Sequence, residues 1–277
     1  MKESGGYDKL PFVAELYDYT THYNQRGDVE FFEEEARRAG GATLELGCGT
    51  GRVLVRLARA GLGVTGLDIA GPMLEKCREK VACLPPDVQR HVRLVQGSMT
   101  DFNLGALFHL IVFPFRSFQH LLAVADQMRC LRCVHRHLAP SGRVILDLFH
   151  VDPAHMYDPK LHNEWVDFRD AELPDGRTFT RSQRIAAFHF AEQYNDVELI
   201  HTVTHSDGRT ERLVQSFPWR HFFKYEVVHL LHRFGFRPVA IYGDYDRSPL
   251  DDDSSEMIFV AEKRPLSGSS HLRCSSS

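Results

Sequence analysis

Apolar and polar positions follow two rhythms along the first half of this chain. Short apolar runs at Ala42–Leu46, Gly63–Asp68, His91–Gln96, Phe108–Phe113 and Arg143–Phe149 are bounded by glycine, proline or polar turns, the pattern of buried strands. Between them Arg52–Ala60, Pro72–Arg78 and residues 121–137 carry apolar side chains every three or four positions, the rhythm of amphipathic helices. Strand and helix in alternation predict a parallel sheet with helices packed on its faces. Ahead of this unit, residues 8–39 predict two helices broken near Arg26-Gly27-Asp28, with Tyr17 in the first and Tyr23 just beyond it.

After residue 150 the rhythm changes. Glu164–Arg169, Arg177–Ile185, Asp196–His205 and Thr210–Phe217 read as strands, and Pro174-Asp-Gly176 and Ser206-Asp-Gly-Arg209 are turn signals, so two antiparallel hairpins are expected after the fifth strand. A helix over Lys224–Phe234, stopped by Gly235, then leads to strands at Pro238–Tyr242 and Met257–Ala261. The pattern predicts an α/β fold, a doubly wound, seven-stranded, mostly parallel sheet with an antiparallel β insertion. Its expected parts are cap helices (1–40), a core (41–150), the insertion as a substrate lid or dimer contact (151–222), the last helix and strands (223–264), and a disordered serine-rich tail (265–277).

Composition narrows the class of partner more than the fold. With 277 residues the chain can bury a full core. A net charge of −4 gives no general attraction to nucleic acid or anionic membrane. No apolar run is long enough to span a bilayer, the six cysteines lack framework spacing, and a cytoplasmic setting is expected. Cys130-Leu-Arg-Cys133 lacks a second pair at zinc spacing, and the acidic run after Gly243 lacks the calcium-loop pattern, so no metal is expected.

The candidate chemistry centres on Glu45-Leu-Gly-Cys-Gly-Thr-Gly51, where an apolar strand meets a helix. Alternating glycines there allow positive φ and let backbone approach a ligand with no Cβ between them. A dinucleotide fingerprint requires a small residue where Arg52 stands, and a phosphate-cradling G-x-x-x-x-G-K loop is absent. The stretch resembles the first motif of class I S-adenosylmethionine-dependent methyltransferases of the small-molecule type. With the strand ending at Asp68 and the Leu138-Ala-Pro-Ser-Gly142 turn into the fifth strand, that resemblance covers roughly residues 42–149.

The resemblance implies S-adenosylmethionine as cofactor, S-adenosylhomocysteine as product, and a cofactor site built from Glu45, Gly47, Cys48, Gly49, Gly51 and Arg52. Asp68, about twenty residues past the loop, is placed to accept hydrogen bonds from ribose hydroxyls, with Ile69 against the adenine. Ser98 stands where the family often has an aspartate for the adenine amine, with Met99 beside it. Phe113 closes the fourth strand, and Tyr17 and Tyr23 are the candidate cap tyrosines. Phe113-Pro-Phe-Arg116 differs from the Asn/Asp-Pro-Pro-Tyr of enzymes that methylate DNA bases or glutamine. His120 is the candidate general base, and Arg116, Phe149, Trp219 and Arg220 are candidate substrate contacts. The insertion also resembles that of amino-sugar N-methyltransferases. The expected reaction is methyl transfer to nitrogen or oxygen of a small molecule, by a monomer or homodimer without nucleic-acid or membrane partners. Alternatives are a non-catalytic S-adenosylmethionine sensor or partner subunit, aminopropyl transfer, or an NAD-dependent oxidoreductase.

Overall fold

The computed structural model describes residues 6–20, 26–152 and 158–264; Tyr23 and the 265–277 tail lie outside the described residues. Among the described residues, α1 (Pro11–Leu16), a 3₁₀ turn (Tyr17–Tyr19) and α2 (Asp28–Ala39) precede the sheet. The alternating unit is β1 (Thr43–Leu46), α3 (Arg52–Arg59), β2 (Val64–Asp68), α4 (Gly71–Ala82), a short α5 (Pro86–Gln89), β3 (Val92–Gln96) and β4 (Phe108–Phe113). A kinked 3₁₀ segment, Pro114–His120, leads through α6 (Val124–His137) to β5 (Leu138–Phe149). Then come β6 (Trp165–Glu172), β7 (Thr178–His189), β8 (Tyr194–Thr204) and β9 (Thr210–Arg220), followed by α7 (Lys224–Arg233), β10 (Phe236–Tyr242) and β11 (Glu256–Lys263).

The main sheet has seven strands in the order β10-β11-β5-β4-β1-β2-β3. β1 pairs in parallel with β2 on one side and β4 on the other, and only β11 runs antiparallel to its neighbours. The chain therefore reverses its direction of travel beside β1, and the crevice outside the carboxyl ends of β1 and β4 is where such a sheet binds ligands.

Side-chain alternation along the central strands explains the two-faced core. Leu110 and Val112 of β4 pack with Phe31 and Phe32 of α2 and with Leu54 and Leu57 of α3. Ile111 and Phe113 pack on the opposite face with Leu131 and Val134 of α6 and with Val227 and Leu231 of α7. Strands buried on both faces read as continuous apolar runs, which is why Phe108–Phe113 was plain in the sequence.

Two expectations needed adjusting. The Leu138–Gly142 turn belongs to β5, entering with Leu138 beside Phe108 and slipping register before Arg143 joins Leu110. The two expected hairpins form one four-stranded antiparallel meander, β6-β7-β8-β9. β7 and β8 pair from Thr178↔Thr204 to His189↔Tyr194. Their connection, Phe190-Ala-Glu-Gln193, carries no glycine or proline, and Gln193 takes the left-handed backbone itself with φ 55°.

Candidate active site

The glycine loop forms one wall of a cavity of about 540 Å³ that runs from the carboxyl end of β2 to the underside of the meander. Gly47, Gly49 and Gly51 all have positive φ, and two of them are also required by close approach. A Cβ on Gly47 would lie 2.6 Å from the Cβ of Ser117, whose hydroxyl donates to the Leu46 carbonyl at 2.8 Å. A Cβ on Gly51 would lie 2.5 Å from the sulfur of Cys77 in α4. The three glycines thus let the loop sit between α4 and the segment after β4 while Gly47 and Gly49 face the cavity.

Asp68 fixes this loop from the end of β2. Its Oδ2 accepts the Gly49 N–H at 2.7 Å and its Oδ1 accepts the Ala70 N–H at 2.8 Å. The carboxylate lines the cavity at this strand end. Burial pushes the carboxyl above the usual aspartate range, and the N–H donors of Ala70 and Gly49 pull it back. Ile69, 46% exposed, Met73, Ser98 and Met99 line the same half. The Ser98 hydroxyl is engaged locally, 2.8 Å from the Thr100 hydroxyl and accepting the Thr100 N–H at 3.2 Å. Flat backbone, a diol-matching carboxylate and apolar side chains beyond it fit the methionine, ribose and adenine parts of S-adenosylmethionine.

A buried network of ions, not read from the sequence, supports the floor. Arg26 donates to the Tyr245 hydroxyl at 2.6 Å and to Glu256 at 2.9 Å. Arg116 donates to the same Glu256 oxygen at 2.7 Å. Asp147 accepts from the Phe115 N–H at 2.8 Å and from the Tyr245 hydroxyl at 3.0 Å. Burial raises both the Asp147 and Glu256 carboxyls, and the guanidiniums oppose it. The network holds Phe115 and Arg116 in left-handed backbone, φ 50° and 64°, a conformation costing on the order of 1–3 kcal/mol per residue unless surroundings impose it. The result is an Arg116 guanidinium over the rings of Phe149 (5.0 Å) and Trp219 (5.8 Å), at the junction of the cavity's two halves.

The meander supplies the roof of the second half. In-register and alternate residues share a sheet face, and this face presents Trp165 and Asp167 of β6, Gln183 and Ile185 of β7, and Val197 and Phe217 of β8 and β9. Arg181 spans Asp167 bidentately at 3.1 and 2.6 Å. Gln119 clamps the roof to the core: its amide donates to the Arg220 carbonyl at 2.6 Å and accepts the Phe149 N–H at 2.7 Å. His120 packs against Tyr7 and Phe217, and burial lowers its imidazole to about 4, so it is neutral at pH 7.

Of the residues singled out in the sequence, Tyr17, Gly47, Gly49, Asp68, Ile69, Ser98 and Met99 line the cavity, as do Arg116, His120, Phe149 and Trp219. Six others do not reach it. Glu45 is buried beneath the loop, and burial pushes its carboxyl up to about 8 against the pull of Arg52. Cys48 packs toward Gly66, Gly51 against Cys77, and Phe113 edge-on to Phe118. Arg52 forms a two-pronged pair with Asp28 of α2, donating at 2.6 and 2.5 Å. Arg220 lies on the other face of β9 from Trp219, bonded to the Leu122 and Glu192 carbonyls and to Glu226. The residues missed, Arg26, Gln119, Asp147 and Glu256, are distant in sequence and meet only through the fold. A polar residue inside an otherwise apolar strand, as at Asp147, was the one available signal.

Residues 43–142 match the family model described as "Methyltransferase domain". The chain is 26% identical to a cypemycin N-terminal methyltransferase from Streptomyces sp, over 95% of this chain and 100% of the relative. It is 29% identical to a glycine/sarcosine N-methyltransferase from Halorhodospira halochloris, over 90% and 85%. The solved CcbJ methyltransferase from Streptomyces caelestis superimposes with a TM-score of 0.73 at 24% identity, over 95% and 100%, a likeness of fold. Together with the strand order and the glycine loop, these matches support a class I S-adenosylmethionine-dependent methyltransferase, whose reaction is methyl transfer from that cofactor to a nitrogen or oxygen of a small-molecule acceptor.

Proposed function

We propose that the acceptor atom is an amine nitrogen, held under the β6–β9 roof while Gly47, Gly49 and Asp68 hold the cofactor. The observation that carries this reading is the single cavity joining the Asp68 end of the sheet to the roof, with Arg116, Phe149 and Trp219 at the junction. The two named relatives support nitrogen, one being named for an N-terminus and the other for the nitrogen of glycine and sarcosine.

The chemistry of the acceptor half fits an amine. Its arginines are engaged, Arg116 with Glu256 and Arg181 with Asp167, so their charge is already met by carboxylates. Phe217, Trp219, Val197 and Leu199 make much of its wall apolar. Such surroundings disfavour an ammonium and so favour the neutral amine whose lone pair can attack. S-adenosylmethionine supplies a methyl group on a positively charged sulfur, which an aligned lone pair can displace. The chain's own contribution is position: effective molarities of about 10⁵–10⁸ M are available from alignment alone. His120, neutral and at the junction, accepts the proton that the nitrogen sheds.

The test is transfer of labelled methyl to a panel of primary and secondary amines, phenols and carboxylates, read by mass spectrometry. Label on amine nitrogen is expected. Label confined to phenol or carboxylate oxygen would overturn the reading.

A further inference from the structure

At one end of the roof, two buried polar side chains face the cavity with atoms that no protein group satisfies. Asn195 is 3% exposed and His221 7%. Both line the cavity. Neither Asn195 Oδ1 nor either ring nitrogen of His221 has a hydrogen-bond partner among the described residues.

Their placement is fixed on both strands. Asn195 stands in register with Trp219, and the His221 N–H donates to the Gln193 carbonyl at 2.8 Å. Gln119 holds the Arg220 carbonyl between them. Asn195 in β8 and His221, one residue past the end of β9, therefore line the same cavity on either side of the Arg220 carbonyl. Leaving a buried polar atom unpaired forfeits its hydration with nothing in return. Three such atoms gathered in one corner, beside the Trp219 that marks the junction, are the mark of a surface completed by a ligand.

Counting donors and acceptors says which ligand. Burial and the nearby Arg220 charge lower the His221 imidazole to about 4, so at neutral pH it offers one acceptor nitrogen and one N–H donor. With Asn195 Oδ1, the buried atoms of this corner that lack partners are two acceptors and one donor. An attacking amine, its lone pair reserved for the methyl, can fill one acceptor with an N–H. The remaining acceptor and donor need a group that both gives and takes a hydrogen bond. A carboxylate only accepts and an alkyl chain does neither, whereas a hydroxyl does both. We infer that Asn195 and His221 form a subsite for a hydroxyl on the carbon next to the acceptor nitrogen, so that the enzyme selects vicinal amino alcohols. The inference rests on the amine reading and specifies its substrate class.

The experiment is calorimetric titration of S-adenosylhomocysteine-saturated protein with trans-2-aminocyclohexanol and with cyclohexylamine, which differ by the hydroxyl. The wild type is expected to bind the amino alcohol at least tenfold more tightly. In Asn195→Leu and His221→Phe the preference should fall below threefold, with affinity for S-adenosylhomocysteine kept within twofold as the control for folding. His221→Gln, which restores a donor and an acceptor, should recover part of it. Equal binding of the two amines by the wild type, or a preference that survives both apolar variants, would overturn the subsite and leave the amine reading standing. Failure of both amines to bind the loaded protein would overturn both readings.

Discussion

Replacing Asp68 probes the cofactor half at its most exacting point. Both carboxylate oxygens accept from backbone donors, Gly49 N–H at 2.7 Å and Ala70 N–H at 2.8 Å, and the proposed cofactor role adds hydrogen bonds from the ribose hydroxyls. Hydrogen bonds to a charged acceptor contribute about 1.5–3 kcal/mol each. If Asp68→Ala removes the equivalent of one such bond to the cofactor, affinity falls between about tenfold and a hundredfold. Asp68→Asn is not conservative here, because its amide NH₂ must face one of the two backbone N–H groups. Orphaning that donor costs about 1–3 kcal/mol, so Asn should lose at least tenfold as well. The assay is calorimetric titration with S-adenosylhomocysteine, with a thermal melt of the unliganded variants to separate binding from stability. Since the carboxylate is the accepting form and burial raises its pKa, wild-type affinity should weaken as pH falls through that raised value. An affinity unchanged in both variants would refute the ribose assignment.

Other perturbations test the surrounding argument. Glu45, held near 8 by burial against an ordinary value of 4.5, favours the folded state fully only below the ordinary value and loses that contribution as pH rises toward 8. Glu45→Gln should therefore gain on the wild type by up to about 1.4 kcal/mol per pH unit between pH 5 and 8. A melting-temperature difference independent of pH would sink that assignment. Gly47→Ala places a methyl 2.6 Å from the Ser117 Cβ at φ 79° and should cost about 1–3 kcal/mol in a denaturant melt. Adding Ser117→Gly should return only part of that, since the backbone strain remains; full recovery would show that the clash alone mattered. His120→Ala should lower turnover on an amine substrate, by at most about 10²-fold for so weak a base, and leave cofactor affinity unchanged. Unaltered turnover would make His120 a packing residue.

How much of this was legible in the sequence followed from how local each cause is. The strands of the core could be read because burial on both faces makes their sequences mostly apolar, and the glycine loop because positive φ restricts residue choice within a few positions. The full meander was harder: Phe190-Ala-Glu-Gln193 turns the chain without glycine or proline, so β7 and β8 were cut short. The support network was out of reach, because Arg26, Asp147 and Glu256 acquire their meaning only when β5, β11 and the start of α2 converge. Arg220 was misplaced for a simpler reason: on a strand its neighbours Trp219 and His221 face the cavity, so it cannot. His221, the residue with the most to satisfy, carried no signal beyond being one histidine among sixteen.

The most direct test of the cofactor assignment is parallel calorimetry of the purified protein with S-adenosylhomocysteine, S-adenosylmethionine and NAD. The account predicts micromolar binding of the first two and no heat from NAD, because Arg52 occupies the position where a dinucleotide loop needs a small residue. Binding of NAD with no response to S-adenosylhomocysteine would contradict it.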